Sequence, residues 1–380
     1  MRLKDRVFRA TASAFAFDNV EAVVQSFPKA HRAPGAEQPA KPADRGAVGG
    51  EVVVRNVLAA FAAAVIAIVI APAASAQDAV RIGALKFGTV NWELDTIAKN
   101  GLDGKNGVKM DVVYFAGEDA SNVAFQAGEV DMIVTDWLEV ARLRGQGQDV
   151  TFAPYSSSTG AIMVKADSPI QSLADIKGKK LAVAGGALDK SWLLLQGMAA
   201  KQGFDIAKEN EIVYGAPPLL AEKLRAGEFD AALNYWHFNA RLEADGFRRI
   251  VGADDASRDL GAAGTVSTLG YAFHDKWAEE HKNAVFGFLK ASREAKQLLK
   301  NNDAEWTRLH ADGVIKDEGP ALDKLRERYR DGIPARPALD EEADAAKLFD
   351  VLAGLGGEKL VGSAKALPKG TYWPALKDVD

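Results

Sequence analysis

Two stretches of this chain, AGEVDMIVTDWLEVARL at 127–143 and AGEFDAALNYWHFNARL at 226–242, match at a constant offset of 99 residues. Ala, Gly, Glu, Asp, Trp, Ala, Arg and Leu recur in register, pairing Asp131 with Asp230 and Trp137 with Trp236. A repeat of this length is a whole supersecondary unit, so it constrains the fold more than any short motif does. A weaker echo accompanies it. A strand-like run at 80–85 leads to Trp92, and one at 181–184 leads to Trp192, 100 residues later. The chain is therefore expected to hold two similar halves, each with one strand–loop–helix unit early and another late.

The rest of the pattern agrees. Short apolar runs predict strands at 80–85, 109–115, 132–135, 161–165, 181–184, 211–214 and 231–233. Amphipathic stretches between them predict helices at 92–100, 120–128, 138–145, 191–202, 219–226 and 238–245, and the chain beyond 276 reads as mainly helical. Such alternation predicts an α/β fold of mostly parallel sheets flanked by helices. With 380 residues, two lobes can each bury a core.

Composition removes several functions. A net charge of −5 offers no basic field for nucleic acid. With no cysteine there can be no disulfide, thiolate metal site, cysteine nucleophile or lipidated cysteine. The histidines are His31, His237, His274, His281 and His310, and none stands in His-x-x-x-His or Glu-x-x-His spacing. Gly185-Gly186 lacks the lysine spacing of a phosphate loop. We read no catalytic constellation, no metal site and no cofactor.

The apolar run 57–71 follows Arg55 and ends in Ala74-Ser75-Ala76. A positive start, an apolar middle and small residues at the exit predict a secretory signal peptide, here 51–76 with cleavage after Ala76. The run is shorter than the roughly 20 residues that span a bilayer. A periplasmic, monomeric mature protein is expected. Residues 1–50, rich in Ala and Pro, read as a leader upstream of a true start near 52–54.

Several segments carry a family resemblance: GALKFGTVNWELD (83–95), the two repeated stretches, SLADIKGKKLAVAGGALDKSWLLL (172–195) and TLGYAFHDKWAEEHKNAV (268–285). In order and spacing the chain resembles periplasmic solute-binding proteins of the nitrate/sulfonate/taurine and thiamine-precursor type. The resemblance implies a two-lobed periplasmic-binding-protein fold with a ligand cleft between lobes. It implies lobe one at 80–166 and 264–380, lobe two at 167–263, and crossings near 167–169 and 266–273. It also implies a small-molecule solute as ligand, with the permease and ATPase subunits of an ABC importer as partners.

Ligands of open α/β sheets bind beyond the carboxyl ends of the strands. Four tryptophans, Trp92, Trp137, Trp192 and Trp236, follow predicted strands at helix starts and are expected to face the cleft. Their neighbours complete the candidate site: Asn91 and Glu93 beside Trp92, Thr135 and Asp136 before Trp137, and Asp189 and Ser191 before Trp192. Asn234, Tyr235 and His237 flank Trp236, and Tyr271 lies on the return crossing. Aromatic faces suit flat rings and cations. Acids in these loops, and no arginine, favour a flat nitrogenous or cationic solute over an alkanesulfonate or taurine. Asp136 and Asp189 are also placed to cap helices. A periplasmic sensor feeding a membrane receptor is the alternative class.

Overall fold

The structure, a computed structural model, describes residues 78–379. The signal peptide expected at 51–76 and the stretch before it lie outside them.

Among the described residues, ten strands form two five-stranded sheets. They are β1 (Asp78–Leu85), β2 (Val108–Phe115), β3 (Met132–Asp136), β4 (Val150–Ser156), β5 (Ala161–Val164), β6 (Lys180–Ala184), β7 (Glu211–Gly215), β8 (Ala231–Asn234), β9 (Arg248–Gly252) and β10 (Leu269–His274). The first sheet has the order β2-β1-β3-β10-β4 and the second β7-β6-β8-β5-β9. β1 runs parallel to β2 and β3, while β10 runs against β3 and β4. The second sheet repeats this with β6 parallel to β7 and β8, and β5 running against β8 and β9. In each sheet the reversed strand is the one that has crossed from the other sheet. Strands such as Ala231–Asn234 and Ala161–Val164 are buried along their whole length, as expected when helices cover both faces.

The repeat holds in the hydrogen-bonded register. Ile82 lies opposite Met132, and Leu181, 99 residues later, lies opposite Ala231. The repeated Asp does the same task in both lobes. Asp131 Oδ2 accepts the backbone N–H of Arg81 at 2.8 Å, and Asp230 Oδ2 accepts that of Lys180 at 2.8 Å. The repeated Gly128 and Gly227 close the preceding helices with φ of 71° and 77°, a left-handed conformation that glycine adopts without a Cβ penalty.

Three expectations are corrected. The strand expected at 161–165 as the end of lobe one is β5, which pairs with β8 and β9. The chain thus leaves the first sheet at 157–160, not at 167–169, because the apolar run after the crossing is needed between β8 and β9. The return runs through 260–268, and β10 itself is a full member of the first sheet. Finally, β4, β9 and the Ala253–Asp259 helix were not expected. β4 carries Pro154, which argues against a strand unless the strand is at an edge, and β4 is the edge.

The C-terminal helices cross between lobes. Lys282–Asn301 packs on the Val90–Lys99 helix of the first lobe. Gly319–Asp331 packs on the Trp236–Ala244 helix of the second, and Ala338–Gly356 on its Lys190–Lys201 helix. Among the described residues, no helix is long and apolar enough to cross a membrane.

Candidate functional site

The loops after β1 and β3 meet those after β6 and β8. Two contacts join the carboxyl ends of the two sheets. Lys190 Nζ lies 2.8 Å from Asp136 Oδ2, and the Trp92 and Trp236 rings meet edge to face at 5.9 Å. A cavity of about 600 Å³ lies on one side of the ring pair. It is lined by the 86–92 loop and Tyr114 from the first lobe, His237 and Arg241 from the second, and the segment 313–317. A cavity of about 160 Å³ at the crossing is lined by Ser157, Ser158 and Thr159, Trp236 and Asn239, and Gly332.

Each tryptophan sits where its helix begins. Trp137 and Trp236 are the first residues of theirs, while Trp92 and Trp192 are the third of theirs. Asp136 caps its helix by accepting the Glu139 N–H at 2.9 Å, and Asp189 accepts the Trp192 N–H at 3.0 Å. Around Lys190, the Asp136 carboxylate raises the lysine above its ordinary pKa against the opposing effect of burial, with Asp189 and Glu118 adding to the rise. Asp189 Oδ2 and Tyr235 Oη converge over Gly185. A Cβ there would lie 2.6 and 2.7 Å from them, and the φ of +80° also favours glycine. Burial, then the nearby Asp189, pushes the Tyr235 phenol up to about 12. Burial, then Arg241, pushes His237 down to about 4, so its imidazole is neutral at neutral pH.

The model of the family described as NMT1/THI5 like matches residues 99–305. The chain belongs to the NMT1/THI5-like family. Solved structures with the same fold as this NMT1/THI5-like chain include the periplasmic aliphatic sulphonate binding protein of Escherichia coli. That protein is 20% identical, with a TM-score of 0.62 over 78% of this chain and 92% of that one. The alkanesulfonate-binding protein of Xanthomonas axonopodis pv. citri bound to MOPS is 19% identical, with a TM-score of 0.57 over 78% and 98%. An ABC transporter structure from Parabacteroides distasonis is 15% identical, with a TM-score of 0.61 over 77% and 98%. No curated protein matches the chain.

In the NMT1/THI5-like cleft, the structure brings together Asn91, Trp92 and His237 on the larger cavity, with Trp236 across the ring pair. It gathers Asp136, Asp189 and Tyr235 around Lys190 and Gly185. Trp137 lines a small pocket with Asp136, Lys190 and Thr159, and Ser191 Oγ packs against Gly160 at the crossing.

Five expected residues lie elsewhere. Glu93 is fully buried beneath the cleft. Its Oε2 is 2.5 Å from Lys296 Nζ, and its Oε1 accepts from Tyr271 Oη at 2.8 Å and Ser292 Oγ at 2.5 Å. That network also removes Tyr271 from the cleft. Trp192 is 1% exposed in the second lobe's core. Asn234 is spent on backbone, donating to Pro217 O at 2.9 Å and accepting from Tyr235 N–H at 2.8 Å. Thr135 lies within the β3–β10 ladder opposite Gly270.

Sequence reasoning passed over Lys190 as a partner across the lobes, and Ser158 and Asn239 altogether. Asn239 had a signal: a poor helix former in mid-helix, three residues after a cleft tryptophan. Among the described residues, no group of three or more His, Cys, Asp or Glu is arranged to hold a metal ion.

Proposed function

We propose that the protein is the periplasmic solute-binding component of an ABC importer, capturing a small organic solute as its lobes close. One observation carries the reading. Two repeat-related sheets direct their carboxyl-end loops at each other across a Trp92–Trp236 contact, beside a cavity of about 600 Å³, within the usual range of small-molecule sites. Family membership supports it, as does the fold shared with a periplasmic sulphonate binding protein and with an ABC transporter structure. The protein acts by binding and release, delivering solute to permease and ATPase subunits, and the apolar segment at 57–71 directs its export.

The sulfonate-binding proteins of similar fold favour an alkanesulfonate as the second reading. Two of the acids that suggested a cation do not decide against it, since Glu93 and Asp136 are paired within the protein, with Lys296 and Lys190.

Closure is driven by contacts made only in the closed state. Small-angle scattering of protein stripped of small molecules, before and after adding a filtered extract of native periplasm, should show compaction. An unchanged radius of gyration, with no small molecule retained on the protein, would defeat the proposal.

A further inference from the structure

We infer that the cleft selects its solute by hydrogen-bond donors, so that the ligand is an N–H- or O–H-bearing molecule with a flat apolar part rather than an oxyanion. This rests on the solute-binding reading above and names the chemistry of that same cleft.

The argument begins with buried acceptors. Asn239 is 5% exposed and lines the crossing cavity. Its Nδ2 donates to Ala161 O at 3.0 Å and Asn234 O at 2.9 Å, two carbonyls that fix which end of the amide is nitrogen. Its Oδ1 has no hydrogen-bond partner among the described residues. Across the ring pair, Asn91 repeats the arrangement on the larger cavity. Its Nδ2 donates to Leu85 O at 3.0 Å and Lys86 O at 3.2 Å, and its Oδ1 is buried without a partner. Ser158 Oγ, a hydroxyl that can accept as well as donate, is the third such atom and also lines the crossing cavity. A buried carbonyl oxygen without a donor costs roughly 1–3 kcal/mol. Two amides with their nitrogens already engaged can be satisfied only by donors. A sulfonate or nitrate brings acceptors alone.

The cations point the same way. Arg and Lys give an oxyanion its strongest hydrogen bonds, beyond what helix N-termini supply. Here Arg241 is held bidentate by Asp317 at 2.6 and 2.8 Å, and Arg328 by Glu243 at 2.8 and 3.1 Å. Lys190 is held by Asp136, and Arg249 by Asp254 and Asp255. Lys86 and Lys316, on the rim of the larger cavity, are exposed to water. His237 stands in the same wall as a neutral ring. Between the two acceptor sites lie the Trp92 and Trp236 rings, packed edge to face, and Trp236, the more exposed of the two, can take a planar body.

Two probes of one shape separate the cases: benzamide, whose amide donates, and benzenesulfonate, which only accepts. Calorimetric titration of the stripped protein should show benzamide binding at least about tenfold more tightly, the worth of one good hydrogen bond. Asn91→Leu, whose amide lies at a loop-proximal helix start, should erase that preference. Asn239→Ala, which removes the second acceptor, should weaken benzamide without strengthening benzenesulfonate. Tighter binding of benzenesulfonate, or no binding of benzamide, overturns the inference. If benzenesulfonate also compacts the protein in scattering, the solute-binding reading stands while the donor chemistry falls. If neither probe binds and periplasmic extract causes no compaction, both fall.

Discussion

At the residue scale, identical residue types in this chain do different work according to what lies far away in sequence. Glu93 follows a cleft tryptophan, yet it faces inward because Lys296, Tyr271 and Ser292 await it. Those partners are 178 to 203 residues away, and no local pattern announces them. Glu93→Ala leaves Lys296 buried without its counter-charge and should cost about 3–5 kcal/mol in chemical denaturation. Glu93→Ala with Lys296→Met should recover much of that loss. His237 gives a pH signature. Its pKa is depressed in the folded state, so the unfolded chain takes up a proton first as pH falls. The stability its neutral form contributes is full above about 6.5 and is lost as pH falls toward about 4. Denaturation of the wild type at pH 7 and pH 5 should therefore show a drop that His237→Gln diminishes. The repeat made the helix-start positions of Trp137 and Trp236 legible, while Trp192, aligned with Trp92, lies in the second lobe's core. What was not legible is that Trp92 leans on Trp306 and Tyr329 at 5.6 and 5.8 Å. Trp306, far along the chain, thus supports the cleft wall from behind.

At the element scale, the strand-to-helix turns set the cleft geometry. Asp136 both caps a helix and holds Lys190 across the lobes. The two roles separate by substitution. Asp136→Asn keeps a capping oxygen and loses the charge, while Asp136→Ala loses both, including a cap worth about 1 kcal/mol. Thermal unfolding should rank wild type above Asn and Asn above Ala. The 185–189 turn depends on glycine. Gly185→Ala puts a methyl against Asp189 and Tyr235 at positive φ and should cost about 1–3 kcal/mol. Strongly periodic elements could be read from sequence, because each carries its own apolar face. β9, a short RRIVG run, and β4, interrupted by Pro154, could not, since their place is set by β5 and β10, strands that arrive from the other half.

For the whole molecule, the crossing strands are not the sole links between lobes. The Gly319–Asp331 helix touches Trp92 and Trp306 of one side through Tyr329 and grips the Trp236–Ala244 helix of the other through Arg328–Glu243. Arg241–Asp317 adds a second clamp on that helix. Opening must either break these bidentate pairs or carry the C-terminal helix along. Arg241→Met combined with Arg328→Met should enlarge the unliganded radius of gyration in scattering and weaken solute binding, because a smaller fraction of molecules then starts closed. An unchanged radius would assign the movement to the C-terminal helix instead.

The placement of β10 between β3 and β4 has a temporal consequence. β4 ends at Ser156, but the strand that joins it to β3 begins at Leu269, after the whole second lobe. The second sheet draws on a continuous stretch, 161–252, and can assemble as soon as that stretch is available. The first sheet stays divided, with β4 detached from β2-β1-β3, until β10 arrives. Long loops of this kind delay closure because their entropy is lost before their contacts are gained. A chain crossing a membrane from its N-terminus would thus present an incomplete first lobe throughout its passage, and completion would wait for the far side.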